Sequence, residues 1–337
     1  MTSVYGSYSA NKIQLGREAT AGTAVASTGI WRGEYASLED ARTREIVTEQ
    51  VGLMVNTERS YDSQYLGRIS FPATPMTFEQ VLHLLEAGVG TVSPVNAAPK
   101  YTYNYAFSVT NTPNTLKTYT IEAFNTVASV DCREMEYSFV ESFTLSMTAG
   151  EAWMMSADWV GRQLTKSTGT ALTTLVTVEE ALGALTTLFI DPIAGAPGAA
   201  QKSGVLMGAE ITVNTGRVIV PVGDGTRTYA AVKMTVPEIT FSLTLELEQD
   251  TGVSMVEVER VFYETNVARL FELNIAGSDA NHSMVIDWAG KYDSFGSYEN
   301  ADGNTTVTMT GHAIYTTAPI APIFWEASVA NTLASIA

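Results

Sequence analysis

Apolar and polar residues alternate along much of this chain. The stretches "FTLSMTAGE" (143–151) and "FSLTLELEQ" (241–249) each open on Phe and then alternate apolar with small polar residues. A period of two turns one set of side chains into a core and the other toward water, as in a half-buried strand. From residue 30 onward, "IWRGEYASL", "REIVTEQVG" and "SQYLGRISFPATP" read as strands. They are followed by "YTYNYAFSV" (101–109) and "KTYTIEAF" (117–124), joined by the turn-rich "TNTPNTL". The segment "MEYSFVESFTLSMTAGEAWMMSADWVGR" predicts a hairpin about Ala149–Gly150. In the second half, "LTTLFIDP", "GVLMGAEITVNTG" and "KMTVPEITFSLTLELEQD" carry the same strand pattern, as do "HSMVIDWAGKYDSFG" and "NTTVTMTGHAIYTT".

Helical spacing occurs twice. In "TPMTFEQVLHLLEAG", Phe78, Val81, Leu82 and Leu85 recur on one side, with Thr74 as N-cap, Pro75 at the first helical position and Gly88 as the stop. His83 is expected on the flank of this helix. The second candidate is "SMVEVERVFYETNVARLFEL", with Val258, Val261, Phe262, Val267 and Leu270 on one side. Both halves thus read strands–helix–strands, one fold used twice. The fold class expected is mainly β, with two tandem β-sandwich or partly closed barrel domains, each with a flanking α-helix. The divisions are an arm at 1–29, a first domain at 30–165 and a linker with a short strand at 166–204. A second domain at 205–317 and a tail at 318–337 complete the chain. The arm has too few large apolar groups to pack alone and is expected to order against another surface, whereas the apolar tail, with Phe324 and Trp325, is expected to pack on its own domain or on the next subunit.

Composition narrows the function. Charged residues are 16% of the chain and the net charge is −17. A surface built of Thr, Ser, Ala, Gly and Asn suits packing against copies of itself. Nucleic-acid binders meet phosphates with Lys and Arg and release counterions. Here 19 basic residues face 36 acidic ones, which argues against grip on DNA, RNA or an anionic membrane. No apolar run is long enough to span a bilayer, and the first residues have no signal-peptide pattern. The lone cysteine, Cys132, has no partner and no neighbouring base.

Chemistry is hard to find. His83, His282 and His312 have no metal-ligand spacing, and "GAPGAAQKSG" lacks the glycine a phosphate loop needs before Lys202. The Asp-Gly pairs at 224–225 and 302–303 fit hairpin turns better than calcium loops. Tyr101, Tyr103, Tyr105 and Phe107 share one strand face, which reads as a buried or interface face; the other use would be a sugar or base platform. Glu246, Glu248 and Asp250 extend the polar face of one strand. No catalytic, metal or cofactor site is expected, and the chain is read as a non-enzymatic building block.

One stretch has a known look. "QLGREATAGTAVASTGIWRG" (14–33) resembles the opening of the major tail tube proteins of long-tailed, siphovirus-like bacteriophages, through Gly16, Arg17, Glu18, Thr20, Gly22, Thr23, Ala24, Val25 and Ala26. "VDCREMEYSFVESFTLSMTAGEAWMMSADWVGR" is similar to that family's central hairpin, and "LTTLFIDPIAGAPGAAQKSGVLMGAEITVNTG" to its later strand–Gly loop–strand element. The resemblance covers about a third of the chain. It implies a virion protein, assembled in the host cytoplasm, whose rings stack into a tube for DNA passage during ejection. Two tube domains per chain imply a pseudo-sixfold trimer. If the second half were a decoration, six copies would be needed. The implied partners are further copies, the tape measure, terminator and distal tail proteins, and double-stranded DNA that passes without tight binding; no membrane and no cofactor are implied. On this reading Glu246, Glu248 and Asp250 are candidate lumen acids. Gly16, Arg17, Glu18, Val25, Phe324 and Trp325 are candidate contacts of arm and tail between subunits. The rivals are another virion component (decoration, terminator or fibre-base) and a carbohydrate-binding β-protein.

Overall fold

The computed structural model describes residues 6–55, 58–250, 253–301, 303–318 and 322–336. Strand makes up 50% of the chain and helix 9%, so the protein is mainly β. The longer strands of the first half are β1 (Asn11–Arg17), β2 (Gly67–Pro75), β3 (Lys100–Ala106), β4 (Tyr119–Asn125), β5 (Cys132–Thr148) and β6 (Met154–Gly161). Those of the second half are β7 (Thr186–Pro192), β8 (Leu206–Asn214), β9 (Glu238–Glu246), β10 (Arg269–Ala276), β11 (Ser283–Phe295), β12 (Asn304–Ala313) and β13 (Trp325–Asn331). The helices are α1 (Val81–Gly88), after β2, and α2 (Met255–Glu264), after β9.

One order of antiparallel pairing occurs twice. In the first half it runs β1-β4-β5-β6-β2, and in the second β7-β10-β11-β12-β9. The central strand of each set carries a one-residue irregularity at the matching place, between Val140 and Ser142 in β5 and between Tyr292 and Ser294 in β11. A bulge of this kind bends a strand and lets it serve two sheets. The halves are joined by two ladders: β5 pairs with β8, and β3 pairs with β13, which also pairs with β11. The whole curls into a barrel-like sandwich.

One large core built from both halves fills it, with two small satellite clusters about Tyr229 and Leu270. The alternation in β5 sends Phe143, Leu145 and Met147 inward, and that in β9 sends Phe241, Leu243 and Leu245 inward. They meet Trp159, Trp288 and Trp325, all buried in the same cluster. Phe143 and Trp325, from opposite halves, lie 6.4 Å apart between ring centroids. Each such side chain contributes about 1.5–3 kcal/mol by leaving water, which is why strands from both halves share one interior.

Several expectations are corrected here. Thr74 and Pro75 end β2, paired with Met155 and Met154, and do not start the helix. The capping group is Thr77, whose hydroxyl accepts from the Gln80 amide at 3.2 Å. His83 is buried, not on a flank. The second helix stops at Glu264; Asn266 takes a left-handed φ of 52°, a conformation that ends helices, and Leu270 belongs to β10. Val258, Val261 and Val267 are exposed, so that stripe is not the core-facing side. The strands at 101–109 and 117–124, though consecutive, do not pair with each other: β3 pairs with β13, and β4 with β1 and β5. Residues 11–17 of the expected arm are a strand with Ile13 and Leu15 in the core, while the tail packs on its own chain, as one of the two expected outcomes had it, through β13.

Candidate functional site

Strands β2, β6, β5, β8, β9 and β12 lie side by side in one uninterrupted sheet that crosses the junction of the halves. One face is the core. The other is composed almost wholly of short polar side chains in cross-strand rows. One row holds Ser70, Asp158, Ser142, Asn214 and Glu238. The next holds Ser156, Thr144, Thr212, Thr240 and His312. A third holds Met154, Ser146, Glu210, Ser242, Thr310 and Ser294.

Many of these groups bond to each other. Asp158 accepts from the hydroxyls of Ser70 at 2.6 Å and Ser142 at 3.1 Å. The hydroxyls of Thr144 and Thr212 are 3.0 Å apart, those of Thr244 and Thr308 2.9 Å, and those of Ser294 and Thr310 2.7 Å. Cross-strand Thr and Ser pairs support the sheet while keeping its surface low and smooth. The charge is one-sided. Asp158, Glu210, Glu238 and Glu246 extend from this part of the sheet; its cations are Arg68, paired with Glu141 at 2.8 Å, and Lys291 of β11, opposite His312 at the end of the second row.

Of the expected lumen acids, Glu246 lies on this face, opposite Thr306. Glu248 is exposed beyond the end of β9. Asp250 pairs with Val253 in a short ladder, and its side chain lies outside the described residues. Asp158, Glu210 and Glu238 were not singled out from sequence, although the alternation in "SADW", "GAEITVN" and "PEITFS" carries the signal.

The expected arm contacts are largely used inside the chain. A Cβ on Gly16 would come 2.9 Å from the Ala26 carbonyl. Arg17 bonds Glu86 of α1, with its Nε at 2.8 Å. Glu18 is buried and accepts from Thr118 Oγ1 at 2.6 Å, the Tyr137 amide at 2.7 Å and the Gly22 amide at 2.8 Å. The Gly-Arg-Glu run therefore pins the strand β1 and its following turn to the fold. Val25 is half-buried, with its amide on Thr120 Oγ1 at 3.0 Å. Trp325 is in the core, and Phe324 is half-buried beside a groove of about 500 Å³ with Met234, Val236 and Tyr315. Tyr103, Tyr105 and Phe107 are buried, so this aromatic row offers no open platform for a sugar.

Titratable groups inside the fold serve packing. Tyr119 donates to Glu86 at 2.6 Å, and His83 faces the Tyr119 hydroxyl at 3.4 Å. Burial, then the nearby Arg17, pushes the His83 imidazole down to about 4. The second half repeats the device. Glu259 of α2 is held by Arg269 at 2.9 Å and by the Tyr292 hydroxyl at 3.0 Å. On the outer side of β10, β11 and β13, Glu272, Asp287 and Glu326 stand directly opposite one another. Burial, then Glu272 and Glu326, pushes the Asp287 carboxyl up to about 8.

That acid row predicts a pH dependence. The folded state holds the Asp287 proton more tightly than the unfolded chain does. Its contribution is therefore complete below the ordinary carboxylate range and is lost as pH rises through about 8. The melting temperature should fall between about pH 5 and pH 9, and Asp287→Asn should flatten that part of the profile. Equal slopes for the two proteins would show that the row does not hold a proton.

The chain matches no protein-family model and no curated protein. The features of the fold that bear on function are the acid-lined, hydroxyl-rich sheet face and the strand edges that border it.

Proposed function

We propose that this protein is a self-assembling structural subunit whose copies close into rings that stack as a bacteriophage tail tube, with the hydroxyl-rich face lining the bore. The observation that carries the proposal is the repeated pairing order with its matched bulges. The repeat makes β11 the counterpart of β5, and the segment before β2 the counterpart of β8. Within the chain, β5 is joined by β8, with Ser142 opposite Asn214. The counterpart edges have no such neighbour among the described residues. Residues 291–295 of β11 pair on one side only, and residues 34–38 lie in no ladder. Repeating the internal ladder between copies joins these edges head to tail and puts Ser294 opposite Ala41 of the next copy. A heterologous contact that closes makes a ring and removes exposed strand edges. With two pairing units per chain, three copies give a pseudo-sixfold ring.

The face suits passing DNA. Short hydroxyls leave a smooth wall, and Asp158, Glu210, Glu238 and Glu246 repel phosphates and offer no counterion release. Ring stacking is assigned to a hairpin, Thr43–Ile46 with Ser60–Gln64, rather than to the arm. Its tip region exposes Val51, Leu53, Met54 and Val55, an apolar set that invites cover.

A paired substitution tests the ring. Residues facing each other across an antiparallel ladder have Cα atoms about 4.5–5.5 Å apart, within disulfide range. Ala41→Cys combined with Ser294→Cys should give a covalent trimer as the largest species when assembled protein is oxidised. The native Cys132 is buried and does not compete. A covalent hexamer would retain the ring and remove the tandem reading. Monomer alone, at concentrations where filaments are sought by electron microscopy, would remove both.

A further inference from the structure

We propose that Glu179, Asp279 and His282 form a binding site for a divalent transition-metal cation of the zinc type, which clips the connection between the halves to the β10–β11 turn. The three residues are far apart in sequence. Glu179 is in the connection, beside the start of α1, where its carbonyl accepts from the Phe78 amide at 3.1 Å. Asp279 and His282 lie in the turn between β10 and β11, closed by the Gly277 amide on the His282 carbonyl at 2.8 Å. One ligand atom from each of the three comes within 4.8 Å of the others.

The histidine is what distinguishes this cluster from an ordinary patch of acids. Its side chain is 9% exposed. Its Nε2 contacts Glu79, itself 1% exposed, at 2.9 Å. A carboxylate on one ring nitrogen sets the tautomer and leaves the other nitrogen with a lone pair, the arrangement found behind metal-bound imidazoles. That other nitrogen, Nδ1, is buried and has no hydrogen-bond partner. It faces the two remaining carboxylates, 2.9 Å from a Glu179 oxygen and 3.6 Å from an Asp279 oxygen, without hydrogen-bond geometry to either. Nitrogen and oxygen ligands about 2.1 Å from a tetrahedral cation are about 3.4 Å apart, and these separations bracket that value.

Charge points the same way. Glu79, Glu179 and Asp279 surround one imidazole, and none of the three pairs with a lysine or arginine among the described residues. The carboxylates are also pre-set. The Glu179 amide bonds Glu79 at 3.0 Å, the Asp279 amide bonds Glu179 at 3.0 Å, and Asn281 holds Asp279 through its side-chain amide at 3.0 Å. Gly277 is required beside them, since a Cβ there would lie 2.7 Å from a Glu179 oxygen. One imidazole and two carboxylates favour a borderline cation over magnesium or calcium, which take all-oxygen shells.

The test uses the full chain after treatment with a chelator. Zinc chloride titrated into it should bind saturably at one ion per chain and raise the melting temperature by about 5 °C at a hundredfold excess over Kd. Cobalt(II) should give the visible absorption of a low-coordinate site. His282→Gln should weaken zinc uptake at least tenfold. Should that variant fail to fold, Asp279→Asn decides, because Asp279 is half exposed and its loss leaves the core untouched. No saturable uptake of either metal, or uptake unchanged in Asp279→Asn, would overturn the proposal. The result is independent of the ring, which the disulfide experiment tests separately.

Discussion

Replacing Glu259 with Ala should lower the stability of the fold by about 3–5 kcal/mol, the range found when one partner of a buried ion pair is removed. Glu259 accepts from Arg269 Nε at 3.0 Å and Nη2 at 2.9 Å and from Tyr292 at 3.0 Å, with Lys202 at 3.6 Å. Without it, Arg269 remains 4% exposed, with the Ile190 carbonyl at 3.3 Å and the Phe262 ring as its remaining contacts. A buried guanidinium without a carboxylate is the source of the loss. Glu86→Ala should act in the same direction and toward the lower end, since the Arg17 side chain is 28% exposed and can reach water. Chemical denaturation with both variants is the measurement. A change below about 1 kcal/mol for Glu259→Ala would mean that the cluster is solvated and does not fasten α2 to its sheet.

Reversing the charge of the proposed bore should convert a repelling wall into a binding one. Asp158→Lys, Glu210→Lys and Glu238→Lys replace three acids on the solvent side of the sheet, so the core is not disturbed. In a ring of three copies this places nine new cations around the channel. A surface making six to ten phosphate contacts loses roughly 10³–10⁵ in DNA affinity between 50 and 200 mM salt. The triple variant should therefore retain duplex DNA at low salt and release it steeply as salt rises, while the parent protein retains none at either. Filaments of normal appearance that still ignore DNA would show that these acids do not face the bore.

The local layer of the fold was legible. Alternation in "FTLSM" and "FSLTL" placed Phe143, Leu145, Phe241 and Leu243 inside, and Ser, Thr and Glu outside. The hairpin at Ala149–Gly150 and the strand at 186–192 were also readable, because each rests on a short-range rule of period or turn chemistry. Equivalence between strands was not. The two similar stretches are not counterparts in the repeat: Phe143 lies on β5 and Phe241 on β9, two places apart in one sheet with β8 between them. Their likeness reflects a shared face. The helix at 254–273 was overextended for a related reason. Its apolar spacing fits a helix as well as a strand beyond Glu264, and pairing of Leu270 and Phe271 with β7 and β11 decides for the strand.

The opening segment shows the other limit. "GREATAG" looks like a detachable arm because it is short of large apolar groups. Its Arg and Glu instead find partners at residues 86, 118 and 137, which no local pattern could announce. The candidate metal cluster is of the same kind, since Glu179 and His282 meet across about a hundred residues of chain.

The amino-acid sequence by itself determined the mainly-β class, the inward and outward sides of the strands and the acidic, hydroxyl-rich surface, because side-chain direction in a strand follows from neighbours two residues away. Only the tertiary structure decided the order of strands, the fusion of both halves into one sheet and core, and the partners of the buried charges. Those depend on backbone pairing and desolvation between residues distant in the chain, where many arrangements satisfy the same local pattern and packing selects one.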